Sequence, residues 1–206
     1  MYGTFAKPAR GPVYMESPAH NPAVKWPTYD PELAKQLLAE ANWKPVEVRI
    51  LCGAGQFLKS RELCETLQQA LVKVEIPVRI VELEYATFVR EALQKRHEII
   101  LFTIGPRSLD PALTALDIAM HTRGRLNVSG YSNLALDKVL EQAKSIGDME
   151  QRRKLYYQAQ EMVVKDYVCI STHNEVDFTA YRREVKGYQH STIGYNNLFD
   201  RVWLER

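Results

Sequence analysis

Glu98-Ile99-Ile100-Leu101-Phe102-Thr103 is apolar almost without interruption. A strand with one wet face alternates, so this run predicts a strand covered on both sides, the habit of parallel sheets. Upstream, Val46, Val48, Ile50 and Cys52 alternate with Glu47 and Arg49, which predicts a half-buried strand. Gly53-Ala54-Gly55 breaks it, and Leu63, Cys64, Leu67, Ala70, Leu71 and Val74 then recur at helical spacing over residues 57–74. Pro77 opens another strand with Val78, Ile80 and Glu82 on one face, and a short helix follows over 86–95. Strand, helix, strand, helix, strand in this order predicts an α/β layer with parallel neighbours and right-handed crossovers. Of its strands, 98–103 reads as the most buried.

Further out, Tyr29-Asp30-Pro31-Glu32 is a helix start. Asp30 suits the N-cap, Pro31 the first helical position, and Glu32 the positive end of the dipole. Leu33, Leu37, Leu38 and Ala41 keep helical spacing, and Asn42 suits a left-handed stop, so the helix is expected over 31–41. Residues 1–28 hold Pro8, Pro12, Pro18, Pro22 and Pro27 and read as an irregular arm, not a core element. Two helices are expected at 134–146 and 149–165, the second burying Leu155, Ala159, Met162 and Val163. From about Val168 the texture changes to short β-like pieces and polar turns. The expected division is an arm at 1–28, an α/β lobe at 29–167, and a tail at 168–206.

Composition limits the function. The 206 residues carry 27 Lys and Arg against 25 Asp and Glu, a net +2 that provides no basic face for nucleic acid. Charged residues at 25% and apolar residues at 46% are those of an ordinary globular chain. No apolar run reaches the roughly 18 residues of a membrane helix, and the first residues do not have the pattern of a secretory signal. His20, His97, His121, His173 and His190 never fall at metal-ligand spacing, so neither a metal nor a cofactor is expected. Cys52-Gly53-Ala54-Gly55 is half a dinucleotide fingerprint and reads as a turn that needs small residues. No nucleophile-and-base pattern supports an enzyme. Cys52, Cys64 and Cys169 read as buried free thiols, with a Cys52–Cys64 bridge as the alternative.

Position marks a binding loop. In open α/β sheets ligands lie beyond the carboxyl ends of the strands, and the strand at 98–103 leads straight into Gly105-Pro106-Arg107-Ser108. Arg107 offers a planar fork for a carboxylate or phosphate, and Thr103 and Ser108 offer hydroxyls. The plainer reading pairs Arg107 with Asp110; both stand on position alone.

Five segments then resemble, in order, the bacterial extracellular solute-binding proteins of family 5, the oligopeptide, dipeptide and nickel receptors of ABC importers. They are Tyr29-Asp30-Pro31-Glu32-Leu33-Ala34-Lys35-Gln36-Leu37-Leu38-Ala39-Glu40-Ala41-Asn42-Trp43; Asp110-Pro111; Asn127-Val128-Ser129-Gly130-Tyr131-Ser132-Asn133 with Asp137; Arg153-Lys154-Leu155-Tyr156-Tyr157-Gln158-Ala159-Gln160; and Tyr181-Arg182-Arg183-Glu184-Val185-Lys186-Gly187-Tyr188. Each is a cap, a turn or a packing contact, and the order makes the set specific. The resemblance implies the C-terminal lobe of a type II periplasmic-binding-protein clamshell, a mixed sheet flanked by helices with an extended tail. It implies a non-catalytic receptor in the periplasm or outside the cell, with a peptide or small-molecule ligand and a membrane permease as partner. The tail would return to an N-terminal lobe missing from these residues, and an isolated lobe is expected to self-associate. The same lobe type also occurs behind helix-turn-helix domains in transcriptional regulators, which is the alternative function.

The resemblance also exposes a departure. Peptide receptors of the family carry an Asp three positions before the Asp of their Asp-Pro pair, where it meets the ligand's α-amino group; that position here is Arg107. The usual Trp of the strand end is replaced by Ile104 or Phe102. A cation does not hold an ammonium, so a ligand presenting an anion is expected, such as a γ-linked or capped peptide or an opine-like compound. His173 and Asn174 match family positions facing the cleft.

Overall fold

The computed structural model describes residues 6–105, 110, 112–174, 179–189 and 199–205. In chain order its elements are β1 (Lys7–Pro8), α1 (Pro31–Glu40), β2 (Val48–Gly53), α2 (Ser60–Val72), β3 (Val78–Leu83), α3 (Tyr85–Leu93), β4 (Ile99–Ile100), a π-helical stretch (Leu113–Ile118), α4 (Leu134–Ser145), α5 (Met149–Lys165), β5 (His173–Asn174), β6 (Val185–Lys186) and β7 (Trp203–Leu204). They divide between two units. Residues 27–103 with 126–131 form the first, and the described residues within 6–26, 104–125 and 132–205 form the second.

The first unit is built on β2. It pairs in parallel with β3 along its whole length, from Val48↔Val78 to Gly53↔Leu83, and with β4 at Ile50↔Ile99 and Leu51↔Ile100. The order is therefore β3-β2-β4. The expectation that 98–103 is the most buried strand is corrected: only Ile99 and Ile100 are laddered and both are half-buried, whereas Ile50, Leu51 and Cys52 are buried. An apolar run shows that both faces of a strand are covered, but pairing order decides which strand lies at the centre. Even residues of β2 face α2, where Ile50, Cys52 and Cys64 pack with Leu67, Leu71, Val78, Ile80, Ile99 and Leu101. The opposite face meets α3 through fully buried Phe88, whose ring would lie 3.0 Å from a Cβ on Gly53. Cys52 and Cys64 are bonded to one another, which overturns the free-thiol reading for these two; Cys169 is free. Both partners are apolar and already adjacent across the strand-helix contact, which residue composition does not reveal.

The signals around α1 act as expected. The Asp30 carboxylate accepts from the Leu33 amide at 2.9 Å, and Asn42 takes φ of 50°. The apolar stripe of α1 is nevertheless open: the helix has no buried residue, and Leu33 and Leu37 are 49% and 54% exposed.

In the second unit α4 and α5 pack together across a connection of three residues, and the π-helical stretch packs on both. The buried residues of α5 are Tyr156, Ala159, Gln160 and Val163. Leu155 and Met162, expected in that stripe, are half-buried, because Tyr156 and Gln160 take the inner positions with polar tips that find specific partners. Gln160 accepts from the Asn21 amide at 3.1 Å and donates to the Ala19 carbonyl at 2.8 Å. Among its described residues the proline-rich arm holds one short strand, β1, and it contributes Val13 and Val24 to the buried set, against the expectation that it is no core element. Short antiparallel pairs, β1 with β5 and β6 with β7, complete this unit. The mixed character of the fold thus divides into a parallel sheet in one unit and antiparallel pairs in the other. Among the described residues no helix is long and apolar enough to cross a membrane.

Candidate functional site at a strand switch point

Sheet topology selects the site. The β2-α2-β3 connection runs to one side of β2, and β3-α3-β4 crosses back to the other, with the two helices on opposite faces. Strands flanking such a reversal leave a crevice beyond their carboxyl ends, here between β2 and β4. On the β2 side the loop is closely tied. Ala54 N donates to Leu83 O at 2.8 Å, Gln56 N to Gly53 O at 3.3 Å, and Ser60 Oγ to Gly53 O at 3.3 Å. Gly55 takes φ of +65° in open space, and the disulfide spans the loop from Cys52 to Cys64.

On the β4 side stand two of the residues expected from sequence. The Phe102 ring stacks on Phe88 with centroids 5.9 Å apart, and Thr103 follows at the strand exit. Gln56 reaches this exit. With its amide oriented to satisfy both atoms, Nε2 donates to Leu101 O at 3.0 Å and Oε1 accepts from Thr103 N at 2.9 Å. Nothing in the sequence pattern marks Gln56; its meaning depends on the neighbour it reaches.

Arg107 and Ser108, also expected here, lie outside the described residues. His173 and Asn174 form β5 in the second unit, paired with Pro8 and Lys7. His173 Nδ1 lies 3.0 Å from Thr172 Oγ1, and burial pushes the imidazole pKa below its ordinary value. The structure brings Phe102 and Thr103 together at one strand end, and His173 and Asn174 together on one short ladder.

The motif residues turn out to be structural. Asp110 accepts from the Tyr156 hydroxyl at 2.8 Å and from the Leu113 amide at 3.3 Å, with Arg152 at 3.8 Å. Asn133 caps α4, and Asp137 accepts from the Thr122 amide at 2.9 Å. Elsewhere in the second unit an open pocket of about 340 Å³ is lined by Asp117, His121, Arg123, Arg125, Glu141 and Lys144. Its charges largely answer each other, Lys144 to Asp117 at 2.8 Å and Arg123 to Glu141 at 3.5 Å. This is an ion network on the α4 surface, whereas the switch point is where strand order alone directs attention in an open α/β sheet.

Comparison with known proteins bears on the family and the fold. A family model described as bacterial extracellular solute-binding proteins, family 5 middle, matches residues 1–122. The chain is 27% identical to di/tripeptide-binding protein 2 of Pseudomonas aeruginosa, across 100% of this chain and 39% of that protein. It is 29% identical to the dipeptide-binding protein of Escherichia coli, across 90% of this chain and 36% of the relative. The crystal structure of a dipeptide-binding protein from Pseudoalteromonas, in complex with Met-Leu, superposes with a TM-score of 0.87 at 24% identity, over 100% of this chain and 42% of the other. The chain therefore has the fold of part of a type II periplasmic binding protein, and it spans about two fifths of the length of the relatives it matches.

Proposed function

We propose that this chain, which belongs to the bacterial extracellular solute-binding proteins of family 5, forms one lobe of a receptor that captures a peptide or related small solute for an ABC importer. The family match carries this reading, and the topological switch point next to Phe102 and Thr103 supports it. Capture is non-catalytic: two lobes close on the solute by a hinge motion, each supplying part of the contacts. The tail from residue 168 is read as the return to an N-terminal lobe, and a membrane permease as the downstream partner. A periplasmic or extracellular location agrees with a disulfide inside the α/β unit.

Within this reading Arg107 and Ser108 meet an anionic group of the ligand, and Phe102, Thr103, His173 and Asn174 contribute further contacts. The support is the replacement of the family's acid by Arg107. Calorimetry with Met-Leu and N-acetyl-Met-Leu tests it. The capped peptide should bind more tightly, and Arg107→Ala should remove that preference. Equal affinities that Arg107→Ala leaves unchanged would remove the anion-binding role. The lobe alone should also self-associate, because Tyr181, Phe199, Trp203 and Leu204 are exposed. Light scattering that finds a monomer at every concentration would exclude this.

A further inference from the structure

Beyond Leu51 the backbones of β2 and β4 no longer pair. Leu101 N donates to Leu51 O at 3.1 Å, and β2 then continues with β3 alone, through Gly53↔Leu83. A parallel ladder that continued would give the Leu101 carbonyl a donor and the Thr103 amide an acceptor from β2. Gln56 supplies both from its side chain, at 3.0 and 2.9 Å. One primary amide thus stands in for a peptide group, and it does so at the point where the β2–β4 ladder ends.

We propose that Gln56 is the positioning residue of this site: its side-chain amide holds the Leu101–Thr103 backbone, and through it fixes Phe102 and Thr103 at the crevice. This rests on the solute-receptor reading for the identity of the site, but not for the bonds themselves. The base of the Gln56 side chain is well held. Its own amide is bonded to Gly53 O, and its loop is closed by the Cys52–Cys64 bond. The far end of the lever is equally defined, with Phe102 stacked on a Phe88 ring that has no exposed surface. A glutamine at this place therefore transmits the geometry of the β2 loop to the exit of β4.

Amide hydrogen exchange on the full chain, with Gln56→Ala and Gln56→Glu, decides the point. Gln56→Ala should speed exchange at Thr103 by about tenfold, the loss of one hydrogen bond, while Leu101, bonded to Leu51, stays protected. Gln56→Glu keeps the acceptor and should restore protection at Thr103. Titration with Met-Leu and N-acetyl-Met-Leu should then show weaker binding by Gln56→Ala, about fivefold, with the urea midpoint little changed. Unchanged Thr103 exchange in Gln56→Ala overturns the proposal, as does full affinity in a variant that has lost the protection. Wild-type protein that binds neither peptide counts against the receptor reading, while the Thr103 measurement still decides whether Gln56 holds the strand exit.

Discussion

The hydroxyl of Tyr156, on α5, donates to the carboxylate of Asp110 at 2.8 Å, where the chain enters the π-helical stretch. Tyr156 is 3% exposed, and burial with the Asp110 charge pushes its phenol pKa well above the ordinary value. The hydroxyl therefore stays protonated and donating throughout the working range. Tyr156→Phe keeps the ring and removes the donor. It should cost about 1–2 kcal/mol, the worth of a hydrogen bond to a charged acceptor, read from urea unfolding. A change within experimental error would show that water or Arg152 replaces the hydroxyl without loss.

Gln160 is buried and joins α5 to the proline-rich arm. Gln160→Leu fills similar volume but strands the Asn21 amide and the Ala19 carbonyl, at a cost of about 2–3 kcal/mol. Limited proteolysis should also cut the arm before residue 27 faster than in the wild type. An arm that resists protease as before would show that Val13 and Val24 hold it without Gln160.

Thiol titration distinguishes the cysteines. Burial pushes the Cys169 pKa up to about 11, and Cys52 and Cys64 are bonded, so native protein should show no fast thiol. Unfolded, unreduced protein should show one thiol, and unfolded, reduced protein all three cysteines of the sequence. Reduction should lower stability by about 2–3 kcal/mol, as expected for a short closed loop. Three thiols in unfolded protein without reductant would contradict the bond.

Glu98 gives a pH signature. Its side chain receives the Arg49 guanidinium at 2.9 and 2.8 Å, and this holds its pKa down at about 2 against 4.5 ordinarily. Because the folded value is depressed, the contribution to stability is full above about pH 5 and is lost as pH falls toward 2. The effect should be small, since both side chains are partly exposed. Urea midpoints for wild type and Glu98→Gln should differ at pH 6 and converge near pH 2. A difference independent of pH would show that the carboxylate charge is not what matters.

Helix starts and stops were legible because each is a local event. Asp30 with Pro31, Asn42 and Asn133 act through residues within a few positions of themselves. The order of the parallel strands was not, because a run such as Ile99-Ile100-Leu101 reports burial on two faces and is silent on which neighbours flank it. Tyr156 and Gln160 were missed as inner residues for a related reason. Hydrophobic periodicity does not count a polar side chain whose partner is more than forty positions away, as Asp110 is from Tyr156 at a separation of 46. Of the residues proposed for the site, Thr103 followed from the rule about strand ends and Phe102 from the family resemblance. Gln56 followed from neither, because an amide that imitates backbone leaves no pattern in the chain that carries it.

The interleaving of the two units has a practical consequence for anyone dissecting the molecule. Residues 126–131 belong with 27–103 although the intervening stretch does not, and Val128 within them is buried. A gene truncated after codon 103 would therefore yield the first unit without those six residues. The smallest faithful miniature would splice 126–131 back on through a short designed linker. During synthesis the ribosome must likewise deliver all of 104–125 before the first unit can be finished.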